Sequence, residues 1–323
     1  MPTSQEIIIN TESAEYVVVR LNKARLNDLA KLHSEVYGTP VNENYFLKKY
    51  DTAYTGLEHV GYLAYNTEGT PVAHYGVIPC FIQYKTDIML AAQSADTMTH
   101  PKYRYKGMFV DLSNKTFDLC RELGIRLIFG FPNQNSYHGA VNKLGWKITE
   151  SMACFIIRVK GLPLESICRK AKWLERLYES YRQLIFKRIS LPLNGIANSA
   201  TTDGFAGVYR DEEYFAYKTY NFSRIIRIGD AKVWISNRPG MLIGDMEGVD
   251  RQNFASVIAK LKALAKKLGI RHIQFHCSPG TSLFKLFSEN FEQTPSYPVL
   301  FQDFGSPIGP ENIKFTFSDI DIF

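Results

Sequence analysis

Chemistry is first suggested by Thr99–Phe109, THPKYRYKGMF. An apolar, extended run, IMLAAQSADTMT, leads into it, and MFVDLSNKTFDLCRELG, with the apolar spacing of an amphipathic helix, leads out. The first amides of a helix have no intrahelical acceptor, and the aligned peptide dipoles add about half a positive charge at that end. A turn of successive N–H groups feeding such an end is therefore an anion site. Gly107 lets the backbone approach a ligand closely, and Arg104 and Lys106 add cationic charge beside it. Recognition of a diphosphate suits this set; an ordinary surface turn rich in Arg, Lys and Gly is the plain alternative.

The elements that must position this turn follow from periodicity. Tyr16–Leu21 is expected as a strand, Ala24–Val36 and Asn42–Tyr50 as helices, and Val60–Asn66, Val72–Tyr84 and Ile88–Met98 as three neighbouring strands, the first two joined by the turn TEGTP. After the turn come a helix over Met108–Leu123, a buried-type strand Arg126–Phe131, a helix Asn135–Leu144 and a strand Lys147–Val159. The order is α/β with an antiparallel first half.

The second half echoes the first. FDLCRELGIRLIFGF matches KALAKKLGIRHIQFH at a constant offset of roughly 145 residues, a period that implies duplicated domains rather than a solenoid. YFAYKTYNF, RIIRIG, AKVWIS and GMLIGDMEG precede the second copy as a helix and three strands. The expected division is 1–160, a connector 161–203 and 204–323. Within the connector, Leu164–Ser190 has helical spacing at Ile167, Ala171, Leu174, Leu177, Tyr178, Tyr181, Leu184 and Ile185. Its polar positions are mostly cationic: Arg169, Lys170, Lys172, Arg176, Arg182, Lys187 and Arg188 against Glu165, Glu175 and Glu179. Two readings fit, a connector packed on the domains with a solvated cationic side, or a weak peripheral contact of 164–190 with an anionic membrane surface. LPLNGIANSATTDG then reads as a loop.

The 323 residues are 45% hydrophobic and 22% charged, ordinary globular composition with room for two domains. No apolar run is long enough for a membrane span, and the polar, acidic N-terminus does not resemble a secretory signal. Cys80, Cys120, Cys154, Cys168 and Cys277 are dispersed in apolar runs without a C-x-x-C pair, as expected of small buried hydrophobes in a reducing compartment, here the cytoplasm. His272 and His276 sit four apart in a strand-like segment without a third ligand, so no metal site is expected. A net charge of +6 suits an anionic small molecule, and without a basic stripe no nucleic-acid partner is expected.

The stretch DTMTHPKYRYKGMFVDLSNKTFDLCRELGIRLIFGFPNQNSYHGAVNKLGW resembles the cofactor half of the GNAT superfamily of acyl-CoA-dependent N-acyltransferases. In that family a strand ends near V-x-P-x-x-R, an R/Q-x-x-G-x-G/A loop follows, and a long helix leads to a strand, an Asn-containing turn, a short helix and L-G-F. Met98, Pro101, Arg104, Gly107, Asn133 or Asn135, and Leu144-Gly145-Trp146 correspond. The resemblance covers about residues 15–159 and implies two tandem GNAT-like domains, each a mixed, mostly antiparallel sheet flanked by helices. It further implies acetyl-CoA or another acyl-CoA as co-substrate. The amides of Arg104, Tyr105, Lys106, Gly107, Met108 and Phe109 would hold its diphosphate. The backbone at Asp96, Thr97 and Met98 would pair with the pantetheine arm as an added strand, and Asn133 or Asn135 would line the same arm.

By the same resemblance the reaction is direct attack of an amine on the thioester, with a backbone N–H near Met98 as oxyanion donor. Phe109 stands where Gly or Ala is usual, Tyr105 where a small residue is frequent, and Val141 where the family often has its acidic Tyr. Tyr137, one helical turn before Val141, is a candidate acid or a packing aromatic. Asp96 is a candidate base or a hydrogen-bonded strand residue; His74 and His138 are weaker candidates. A lysine-like amine is neutral in only about 0.04% of molecules at pH 7, a cost of roughly 4.6 kcal/mol, against about 1.4 kcal/mol for an α-amine. Without a strong base the acceptor is expected to be a weakly basic small molecule, such as an amino sugar of surface polysaccharide. In the second copy Asp245, Glu247 and Asp250 replace the cradle; they would repel a diphosphate and either attract a cationic amine or cap the helix. The alternatives to an acetyltransferase are a non-catalytic CoA-binding module and a Fem-like aminoacyl transferase.

Overall fold

The strands expected in the first half lie side by side in chain order in the computed structural model: β1 (Ile7–Thr11), β2 (Ala14–Arg20), β3 (Gly61–Tyr65), β4 (Pro71–Tyr84) and β5 (Asp87–Thr99), followed by β6 (Leu127–Gly130). β1 through β4 pair antiparallel, and β6 runs parallel to β5. Alternate residues face opposite sides of such a sheet. Val18 and Ala64 join the core beneath α3 (Met108–Glu122) and α4 (Gln134–Leu144), whereas Val19 and Leu63 join that beneath α1 (Leu26–Tyr37) and α2 (Glu43–Lys49). The structure describes residues 7–11, 14–192, 195–236 and 240–323. Part of the polar N-terminal stretch (1–6, 12–13) and of the connecting loop (193–194) lies outside them, and β1 went unrecognised in the sequence.

The second half begins at β7 (Lys147–Arg158), and the segment expected as one long helix is two, α5 (Leu164–Cys168) and α6 (Lys172–Lys187). They part because Ala171 is extended, while buried Glu165 accepts from the Gly240 amide at 3.1 Å and fixes α5 separately. Then follow β8 (Ser190–Leu191), α7 (Ser199–Thr202), β9 (Gly207–Val208), α8 (Glu212–Tyr217), β10 (Ser223–Ile228), β11 (Ala231–Ser236), β12 (Met241–Glu247), α9 (Phe254–Lys267), β13 (His272–Cys277), α10 (Ser282–Ser288) and β14 (Gln293–Asp303). β13 is parallel to β12 and antiparallel to β7, and β10, β11 and β12 form an antiparallel meander. Phe155, Ile226, Val233, Ile243, Leu261, Phe275 and Phe287 make its core.

L-G-I-R recurs for a physical reason. Gly124 and Gly269 both have positive φ, the left-handed cap that ends a helix without a Cβ penalty. The next amide bonds back identically, Ile125 to the Cys120 carbonyl (2.9 Å) and Ile270 to the Ala265 carbonyl (2.8 Å), and each Ile is buried.

The compact units are discontinuous in sequence. The first comprises 1–82, 87–149 and 298–310, the second 83–86, 150–297 and 311–323. Thus most of β7 lies in the second unit rather than in the expected division 1–160. The end of β14 completes the first sheet: Leu300 pairs with Gly130 and Asp303 with Leu127, antiparallel to β6. Leu300 enters the first core, and Phe304 packs on Phe117 and under the Arg121 guanidinium. A boundary drawn from local periodicity does not see such an exchange, because each strand satisfies its period wherever it pairs.

Candidate active site

β5 and β6 part at the place where a ligand arm could enter. Their pairing stops at Ala92–Ile128 and Gln93–Phe129, while β5 continues to Thr99. On its other side β5 stays attached, and the next residue, His100, donates to the Val72 carbonyl of β4 at 2.8 Å. Asp96, within the unaccompanied length, has φ +50°. A left-handed residue in a strand kinks the ladder and costs about 1–2 kcal/mol for an L-residue.

Beyond β5, Pro101–Tyr103 forms a single 3-10 turn capped by the His100 side chain, and Gly107, with φ +81°, is the N-cap of α3. Tyr105 has φ +66° and a fully exposed side chain. The described residues include only four non-glycine positions with positive φ, and Asp96 and Tyr105 are two of them, so backbone strain is concentrated on this stretch. Among the described residues the amides of Tyr105 through Phe109 have no intramolecular acceptor, whereas Val110 and Asp111 already bond to the Gly107 carbonyl. Arg104 is exposed, with Nε donating to the Thr99 carbonyl at 3.3 Å, and Lys106 lies over the Tyr103 ring.

The Phe109 ring points into the unit, edge-on to Tyr75 and against Gly139 of α4; a Cβ on Gly139 would lie 2.7 Å from it. A Cβ on Gly107 would meet only Asp111 Oδ2, at 3.9 Å. Asp111 itself accepts from the Tyr16 hydroxyl at 2.6 Å, and burial together with this bond pushes the Tyr16 pKa up. The turn thus offers five amides without an acceptor among the described residues, two adjacent cations and open space at Gly107, a set whose chemistry suits an anion, with the Asp111 carboxylate at its edge. Asn133 caps α4 by accepting from the Asn135 and Ser136 amides, and Asn135 is exposed. Tyr137, on α4, is half-buried against the same core as Val141 and makes no side-chain hydrogen bond among the described residues. His138 is exposed beside it.

Thr97 is half-buried and Met98 buried, the latter in the core beneath α1 and α2. The Asp96 carboxylate is not free. Lys49 Nζ, on a side chain 1% exposed at the end of α2, donates to Asp96 Oδ1 at 2.8 Å, and the Tyr50 hydroxyl donates to Oδ2 at 3.0 Å. Burial alone would raise this carboxyl; the Lys49 ammonium overrides it and holds the pKa below the usual range. A carboxylate held so is a poor proton acceptor, and its geometry suits positioning better than base catalysis. His74 Nδ1 lies 2.8 Å from the Asp96 carbonyl, which makes it the donor there, while Nε2 is buried and unpartnered. Burial lowers the His74 pKa to about 4, so the ring is neutral at pH 7. Gly76 makes room for it, since a Cβ there would lie 2.9 Å from Nε2. The roles of Lys49 and Tyr50 escaped the sequence reading. Their only signal was a lysine at a helical position whose neighbour Phe46 is core.

In the second unit the acids have other work. Asp245 is fully buried, bonded to Arg210 at 2.6 Å and accepting from the Ser199 amide. Glu247 pairs with Lys232 at 2.9 Å, and Asp250 accepts from the Gln252 and Asn253 amides ahead of α9. Asp250 thus holds the turn before α9 rather than capping the helix, whose N-cap is Asn253, and burial removes Asp245 from any acceptor groove.

Residues 18–149 match the family model described as "Acetyltransferase (GNAT) domain". The chain is similar in fold to a GCN5-related N-acetyltransferase from Kribbella flavida (11% identity, TM-score 0.57, 90% of this chain and 73% of that one) and to another from Anabaena variabilis (13%, 0.55, 90% and 73%). It is similar also to Saccharomyces cerevisiae N-myristoyltransferase, solved with myristoyl-CoA bound (13%, 0.56, 96% and 89%). No curated protein matches it by sequence. The match to the family model is confined to residues 18–149, and the fold is a mixed, mostly antiparallel α/β sheet similar to that of GCN5-related N-acetyltransferases.

Proposed function

We propose that this protein transfers an acetyl or other short acyl group from acyl-CoA to a weakly basic amine by direct attack. The observation that carries the reading is the run of five unpartnered amides, Tyr105–Phe109, at the start of α3, directly after a strand left open beyond Gln93. Arg104, Lys106 and these amides bind the diphosphate, and the backbone of Asp96, Thr97 and Met98 receives the pantetheine arm. Lys49, Tyr50 and His74 hold the kink at Asp96, and a backbone N–H near Met98 serves as donor to the thioester carbonyl. Tyr137 is the candidate donor to the departing thiolate. Among the described residues nothing selects an amino sugar over other amines, and the low proton affinity of Asp96 favours an acceptor that is already partly neutral at pH 7.

Calorimetric titration with acetyl-CoA and CoA, followed by thiol release across a panel of amino sugars, amino acids and α-amines, tests the reading. Micromolar binding with turnover on at least one amine is expected. Tight binding without turnover on any amine would replace the enzyme by a CoA-binding module, and failure to bind CoA would remove both.

A further inference from the structure

α6 is apolar on two sides. One side is packed: Tyr178 and Phe186 are buried, with the Tyr178 hydroxyl donating to the Leu268 carbonyl at 2.7 Å and Phe186 in the core of the second unit. The other faces solvent. Trp173, Leu177 and Leu184 are 65%, 61% and 63% exposed. At about 100° per residue these three project within roughly 40° of one another, a stripe along the outer surface of the helix. A surface helix needs one apolar face to dock on its own domain, and a second one is left to be explained.

The charges around the stripe indicate its occupant. Arg176 and Lys187 line one border, Arg188 extends the other at the C-cap, and all three are exposed. The carboxylates of α6, Glu175 and Glu179, project to the far side, where Glu179 pairs with Arg182 at 3.0 Å. The outward face therefore joins Trp and Leu to three cations without an acid. A folded protein partner of mixed charge does not require that composition, but an anionic lipid surface matches it: the apolar side chains enter the acyl boundary, Trp sits at the headgroup level, and the cations meet lipid phosphates and carboxylates. No helix among the described residues is long and apolar enough to cross a membrane, so the contact would be in-plane.

We propose that α6 docks the protein, reversibly, on membranes rich in anionic lipid. Each cation near such a surface raises partition roughly fivefold, so the effect should depend steeply on lipid charge and on salt. The test uses the full chain with vesicles of phosphatidylcholine, alone or with about one-third phosphatidylserine, read by co-sedimentation and tryptophan emission. Of the three tryptophans, Trp146 and Trp234 are buried, so an emission shift reports on Trp173. Binding to the anionic vesicles at low salt is expected, with a blue shift absent from W173F, at least tenfold weaker partition for L177E/L184E, and similar weakening for R176E/K187E. Because these positions are exposed, all variants should keep the parent's thermal unfolding. No binding at millimolar anionic lipid, equal binding to neutral vesicles, or a lipid-free dimer that L177E/L184E dissociates would each overturn the proposal, the last by assigning the stripe to a second copy.

Discussion

Lys49 and Asp96 are 47 residues apart in sequence and form one buried ion pair, with Nζ 2.8 Å from Oδ1 and the lysine 1% exposed. Breaking a buried pair leaves an uncompensated charge, which typically costs 3–5 kcal/mol. K49M should therefore destabilise the protein by about 3 kcal/mol in urea unfolding, and K49M/D96N should recover a large part of that loss. If the pair also holds the β5 kink, D96N should lower kcat far more than it raises the KM for acetyl-CoA.

Two histidines make stability fall in mild acid. Burial lowers His74 and His276 each to about 4, whereas the unfolded chain protonates them near 6.5. Both are neutral in both states above about pH 6.5, and below it only the unfolded state gains protons, so stability declines as pH falls from there toward 4. H74Q and H276Q should each flatten that decline in denaturant midpoints measured between pH 7 and 4. Asp96 acts further down. Its folded pKa lies below the unfolded value of about 3.9, so its contribution is present above that pH and is lost as pH falls through the folded value.

The cradle binds through backbone, and that separates two substitutions at one position. The Tyr105 side chain is fully exposed, so Y105A should leave the acetyl-CoA Kd within about threefold. Y105P removes the amide and cannot reach φ +66°, and should weaken binding at least tenfold by calorimetry. G107V, branched at a left-handed position with φ +81°, should do the same.

Gly139 sets the direction of the Phe109 ring. A methyl group there would lie 2.7 Å from the ring, so G139A should force it toward the loop, costing about 1–3 kcal/mol of stability and weakening acetyl-CoA binding. F109A on that background should restore part of the binding without restoring the stability.

The cradle was legible in the sequence because its parts are contiguous: strand, cations, glycine and helix follow one another from Met98 to Phe109. The L-G-I-R duplication was legible for the same reason, since a helix cap is written in five or six neighbouring residues. Long-range pairings were not. Lys49 reads as one of two lysines ending a short helix, and only the fold brings it to Asp96. Likewise Leu164–Ser190 keeps its helical period through the break at Ala171, because periodicity records which residues are apolar and not which of two apolar sides is covered. Asp245 reads as one of three acids standing in place of a cradle; Arg210, far from it in sequence, makes it part of a core.

The contribution of Leu300–Asp303 to the first sheet has a consequence for biosynthesis. When the ribosome has delivered the whole cradle, the edge of β6 still lacks its neighbour, and that neighbour follows only after β7 to β13. The nascent first half must wait with an open strand edge, a state prone to mispairing, until β14 has emerged. Truncating the gene after the first copy would make that transient state permanent.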